Sequence, residues 1–81
     1  MAEPWTYWNE QQVRDKILPL SKFEWGFTQL FTRGSFMFPG NELQELNQHY
    51  YDIFGTFNSI SCCQDTWLRI LYDWYTQHKT L

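Results

Sequence analysis

The 81-residue sequence lacks most features with which small proteins fix a fold or carry out chemistry. Its two cysteines, Cys62 and Cys63, are adjacent, which excludes a multi-disulfide framework and fits a reducing compartment. Its four glycines are isolated, so there is no glycine-rich phosphate loop. No stretch approaches the roughly 18 apolar residues of a membrane span, and no basic patch precedes an apolar run at the N-terminus. We expect a cytoplasmic protein without a membrane partner.

Positive charge and catalytic groups are also scarce. The net charge is −3, and the whole deficit lies in residues 41–81. Because a phosphate-binding surface needs the opposite sign, we do not expect nucleic acid as a direct ligand. His49, His78 and the adjacent cysteines do not have the spacing of a zinc site, and no nucleophile motif stands out. The sequence predicts a protein that is not an enzyme and holds no metal or cofactor.

Aromatic residues are abundant: Phe, Trp and Tyr make up 21% of the chain. A chain this short forms one domain over residues 1–81 and buries only about 60% of its unfolded surface, so the rings are expected to replace disulfide or metal staples. Residues 1–5 are a candidate mobile arm. Trp5, Tyr7 and Trp8 form an aromatic segment that we expect to fold over the rest of the molecule, because an exposed aromatic cluster favours aggregation.

Four helices are predicted, which places the chain in the all-α class as a bundle or orthogonal array. The first three cover about residues 4–18, 22–33 and 41–54, and the fourth follows a cap at Ser61 and reaches about residue 77. Pro19 should end the first helix, and Gly34 and Gly55 should end the second and third in the left-handed conformation. Side-chain caps are predicted from Ser21 with Glu24, from Asn41, and from Ser61 with Gln64.

The inward face of each predicted helix follows from the spacing of its apolar residues. The expected core positions are Val13 and Ile17, then Phe23, Phe27, Leu30 and Phe31, then Leu43, Leu46, Asn47, Tyr50, Ile53 and Phe54, then Cys63, Trp67, Ile70, Leu71 and Trp74. Between the second and third helices, Pro39 disfavours helical geometry in Phe38, so residues 36–38 should be extended and end in a Pro-Gly turn.

Two helix faces are candidates for contact with a partner. Glu42, Glu45, His49 and Asp52 fall within one arc of the third helix, which is either an ordinary solvated face or an acidic strip that docks into a basic groove. The fourth helix carries a second apolar line at Leu68, Tyr72 and Tyr75. That line indicates either a helix buried on two sides or a docking stripe for a partner or a second copy of the chain.

A third candidate surface surrounds the second helix. Trp25 lies roughly opposite Phe27, and Phe36 and Phe38 lie in the extended turn, so none of the three has a periodic reason to be buried. The hypothesis that fits best is a small acidic interaction protein of the inhibitor or immunity type, such as viruses and mobile elements use against host machinery. The alternatives are a helix-turn-helix-like DNA-binding regulator and a structural subunit of a larger assembly.

Overall fold

The computed structural model describes residues 3–34, 36–59 and 64–79, and these residues are helical apart from short connections. The predicted all-α class is confirmed. The helices are α1 (Glu10–Leu20), α2 (Glu24–Arg33), α3 (Gly40–Phe54) and α4 (Gln64–His78), with 3-10 turns at Pro4–Tyr7 and Ser21–Phe23.

Helix α1 differs from its prediction at both ends. It starts after Asn9, whose side chain accepts a hydrogen bond from the Gln12 backbone N–H at 2.9 Å, while the Gln12 side chain accepts from the Asn9 N–H at 2.9 Å. This is a capping box, which the sequence reading missed. Pro19 does not end the helix but lies in its last turn. The chain stays helical past the proline, because the Ser21 N–H donates to the Ile17 and Leu18 carbonyls and the second 3-10 turn follows directly.

The predicted caps of the second and third helices are wrong. Ser21 has helical backbone angles and its hydroxyl donates to the Leu18 carbonyl at 2.7 Å, so it cannot cap α2. Helix α3 begins at Gly40 with Pro39 at its N-cap, which leaves Asn41 inside the first turn. The glycine stops are confirmed, with φ of 84° at Gly34 and 83° at Gly55. The predicted cap at Ser61 and core position at Cys63 lie outside the described residues.

The core takes side chains from all four helices, and most of the predicted inward positions are in it. The buried apolar residues are Val13, Leu20, Phe23, Phe27, Leu30, Phe38, Leu43, Leu46, Tyr50, Ile53, Trp67, Leu68, Leu71, Trp74 and Tyr75. The main correction falls in α4, where Ile70 is 42% exposed and Leu68 is 2% exposed. Helix α4 packs against both α1 and α2, so its buried arc is rotated from the single-neighbour ridge that spacing suggested.

The N-terminal aromatic segment packs onto the end of α4, as expected for two of its three rings. Trp5 and Trp8 meet Trp74 edge to face, with centroid distances of 6.1 and 6.3 Å, and Trp5 also meets His78 at 5.0 Å. Tyr7 is 79% exposed. Two indole rings therefore close this end of the core.

The connection between α2 and α3 folds back across α2 at Gly26. The rings of Phe36 and Phe38 lie 4.8 Å apart and both cover this glycine. A Cβ at position 26 would lie 2.6 Å from Phe38 Cε1 and 2.9 Å from Phe36 Cε2, so only glycine allows this approach. Phe38 is buried, edge to face with Phe23 at 6.1 Å and Phe27 at 5.6 Å. Because Gly26 has no side chain, the connection between α2 and α3 can pack directly against α2.

Candidate functional site

The acidic arc of α3 is not a free strip. Glu45 Oε2 lies 2.7 Å from Lys22 Nζ, and Asp52 Oδ2 lies 2.9 Å from Lys16 Nζ. The two lysines come from the second 3-10 turn and from α1, so the pairs tie α3 to the neighbouring elements. We call Lys16–Asp52 and Lys22–Glu45 the ion-pair seam. The hydrogen bond from Lys22 lowers the pKa of Glu45. Burial opposes ionisation of Asp52, but hydrogen bonds from Lys16 and Gln48 lower its pKa all the same.

Because of these ion pairs, the acidic arc of α3 is poorly suited to dock into a basic groove. Two of its three carboxylates are ionised and already have a lysine partner, so they offer little negative charge to a basic groove. Glu42 is half-buried in the first turn of α3, where the helix dipole favours its charge. His49, expected on the exposed arc, has a side chain only 12% exposed.

The second apolar line of α4 is part of the core, which corrects its interpretation as a docking stripe. Leu68 and Tyr75 are each 2% exposed, and Tyr72 is half-buried. The Tyr72 ring stacks on Phe31, with centroids 5.4 Å apart. The Tyr75 hydroxyl donates to Glu24 at 3.0 Å. Burial and this carboxylate raise the pKa of Tyr75 to about 12. The other interpretation, a helix buried on two sides, is the one that holds.

An apolar surface does remain exposed beside α2. Trp25 is 67% exposed and Met37 is 88% exposed, and Phe36, next to Met37 in the chain, is half-buried and edge to face with Trp25 at 5.5 Å. We call Trp25, Phe36 and Met37 the aromatic surface. Phe38, which was expected to belong to it, is instead the buried anchor that holds Phe36 in place.

Met37 lies within the predicted 36–38 segment but was not named as a partner-binding residue, although the sequence contained a signal for it. Successive residues of an extended segment point to opposite sides, so a segment in which residues 36 and 38 face α2 turns residue 37 outward. The structure has this alternation, with both phenylalanine rings over Gly26 and Met37 in solvent.

A second exposed aromatic pair also escaped the sequence reading. The rings of Tyr51 and Phe57 stack nearly parallel, 4.2 Å between centroids and 8° between planes, and are 43% and 60% exposed. The loop that carries Phe57 is fixed by Asn47, whose side chain accepts from the Asn58 N–H and donates to the Asn58 carbonyl, each at 2.9 Å. Asn47 was expected to face inward, and these two bonds show why a polar residue can.

Other kinds of site find little support in the part of the chain that the structure describes. Within it, no three His, Cys, Asp or Glu side chains come together as metal ligands would. No helix there has the length and apolar character needed to cross a membrane. No protein-family model matches the chain, and neither does any curated protein or solved structure. The aromatic surface is taken as the candidate site because Met37 and Trp25 are among the most exposed large apolar side chains of the described residues.

Proposed function

We propose that this chain is a non-enzymatic, cytoplasmic interaction protein that binds another protein through the aromatic surface of Trp25, Phe36 and Met37. By covering that partner it would act as an inhibitor or immunity-type protein, or as a modulator of host machinery. The observation that carries the proposal is the exposure of Trp25. It is 67% exposed, whereas the other four tryptophans are buried or half-buried.

The side chains of the aromatic surface are unfavourable when exposed to water and can contribute binding energy when a partner covers them. Large apolar side chains grouped on a surface favour aggregation, and such groups commonly mark interaction sites. Tryptophan and other aromatic anchors dominate protein interfaces because a rigid ring supplies area at small entropic cost. Phe36 is already fixed by Phe38 and Gly26, so part of the ordering cost of binding is met in the free protein.

The preferred partner is a protein with an apolar groove. Gln29 and Arg33 follow Trp25 by four and eight residues on the same side of α2 and give this surface a polar margin. A buried anchor within a polar margin is the usual anatomy of a protein interface. Phosphate binding by α3 and α4, the DNA-regulator alternative, gains no support from their acidic side chains.

The test is capture of a partner from host-cell lysate by immobilised protein. The Trp25→Ala, Met37→Ala double variant removes the exposed anchors and should lose the partner at least tenfold, as expected for central interface residues. The Tyr51→Ala, Phe57→Ala variant is the matched control, since it removes two exposed side chains from another surface. Both variants should keep the unfolding free energy within about 1 kcal/mol of the wild type. Equal capture by all three proteins would remove the aromatic surface from the proposal.

A further inference from the structure

His49 is a largely buried histidine beside the ion-pair seam. Neither ring nitrogen has a hydrogen-bond partner among the described residues, and both are buried from solvent. The nearest carboxylate atom is Glu45 Oε2, 3.6 Å from His49 Nε2 and just beyond hydrogen-bond distance. Buried polar groups are nearly always paired, so an unpaired imidazole beside a carboxylate needs an explanation.

The same carboxylate oxygen faces two nitrogen groups. Glu45 Oε2 is the atom that lies 2.7 Å from Lys22 Nζ and also the atom nearest the imidazole. Three ionisable groups act on the ring: Lys16 from α1 repels its positive form, and Glu45 and Asp52 from α3 attract it. Lys22, from the second 3-10 turn, acts through the carboxylate it shares. A neutral ring leaves Glu45 to Lys22, whereas a charged ring competes for it.

We propose that His49 makes the ion-pair seam pH-sensitive: protonation of its ring draws Glu45 Oε2 from Lys22 to Nε2–H, sets a new positive charge beside Lys16, and loosens α3 from the second 3-10 turn and α1. The groups involved already lie close together, and the movement required is about 0.7 Å, the difference between the present separation of 3.6 Å and an ordinary hydrogen bond.

The sign of the pH effect follows from the same surroundings. Burial, and then the charge of Lys16, lower the pKa of His49 below its usual 6.5. The unfolded chain therefore binds the proton first, at pH near 6.5, and the folded chain only at lower pH. Stability is thus lost as the pH falls through the range below 6.5. The carboxylates with lowered pKa values, Glu45 and Asp52, lose their contribution at more acidic pH, below their usual values of 4.5 and 3.8.

The experiment compares urea unfolding midpoints at pH 7.5 and pH 5.5, a pair chosen to bracket the histidine range at about 6.5. We expect the wild-type midpoint to fall between these pH values and the His49→Gln midpoint to fall much less. His78→Gln is the matched control and should follow the wild type. Lys22→Met removes the competing cation and should reduce the wild-type fall. An equal fall in the wild type and His49→Gln, or no reduction in Lys22→Met, would overturn the proposal.

A second measurement uses only the wild-type protein, so it does not depend on whether a variant folds. Nitrogen NMR of the histidine rings in the wild-type protein follows the protonation of each imidazole directly. The proposal requires the His49 ring to titrate below 6.5, with a shift of the Lys22 side-chain signals over the same range. Titration of His49 at or above 6.5, or Lys22 signals that stay constant as His49 titrates, would contradict it.

Discussion

Replacement of Gly26 by alanine tests the packing that positions the aromatic surface. The new Cβ would lie 2.6 Å from Phe38 Cε1, 2.7 Å from Phe38 Cζ and 2.9 Å from Phe36 Cε2. Carbon atoms pack best at about 3.5 to 4.0 Å, so the rings would have to move by about 1 Å. Phe36 is half-buried and can move toward solvent, whereas Phe38 is 5% exposed and has Phe23 and Phe27 against it.

Two opposing effects set the magnitude. Forcing extra volume into a packed core costs about 1 to 3 kcal/mol, and contacts this short place Gly26→Ala at the upper end. Alanine gains about 1 kcal/mol over glycine inside a helix, which offsets part of that cost. The expected result is a net loss of about 2 kcal/mol, which for a domain of this size lowers the melting temperature by about 10 °C.

The assay is urea and thermal unfolding of Gly26→Ala beside Gly40→Ala. Gly40 is the matched control because it is also helical, has no positive φ and would place its Cβ in open space. Gly40→Ala should be as stable as the wild type or slightly more stable. In a Phe38→Leu background the cost of Gly26→Ala should shrink, because the ring that blocks the Cβ is gone. If Gly26→Ala is no less stable than the wild type, the packing described across Gly26 is wrong.

Three further predictions concern the other corrected or overlooked positions, each measured by chemical unfolding. Leu68→Ala should cost about 2 to 5 kcal/mol and Ile70→Ala less than about 1, since only the first is buried; equal costs would contradict the packing of α4. Tyr75→Phe should lose less stability than the wild type between pH 10 and about 12, because the pKa of Tyr75 is raised to about 12 and unfolded tyrosine ionises near 10. Asn47→Ala should cost about 1 to 3 kcal/mol through its two lost bonds to Asn58, and Asn47→Asp should cost no less, because a carboxylate oxygen would then face the Asn58 carbonyl to which the amide now donates.

The sequence predicted the features that depend on neighbours along the chain. Glycines at positions 34 and 55 end their helices because the left-handed conformation is a local requirement of the stop. The capping box shows the limit of such patterns. Ser21 with Glu24 has the right spacing, yet the Glu24 carboxylate accepts from Tyr75 and Lys79, which lie 51 and 55 residues further along the chain. A four-residue sequence pattern cannot predict hydrogen bonds to partners that lie more than 50 residues away.

The candidate site was predicted in part, for a similar reason. Trp25 was identified as exposed because it lies opposite the inward face of its own helix, and the structure agrees. Leu68 and Tyr75 could not be assigned in the same way. A wide apolar arc fits a helix with two neighbours as well as one with a docking face, and the choice depends on where α1 and α2 lie.

The distribution of charge leads to a final prediction about binding. Among the described residues, four carboxylates pair with four of the six basic side chains, at Glu10–Arg14, Lys16–Asp52, Lys22–Glu45 and Glu24–Lys79. The five acidic residues outside these pairs are spread over the N-terminal segment, α1, α3 and α4, so no single element carries the net charge of −3. Electrostatic steering of a partner requires charges that are concentrated on one surface. Burial of apolar rings, in contrast, is little affected by salt screening. Capture of the partner should therefore persist when salt is raised from about 0.05 M to about 0.5 M, and a steep loss over that range would indicate that charge rather than the aromatic surface carries the affinity.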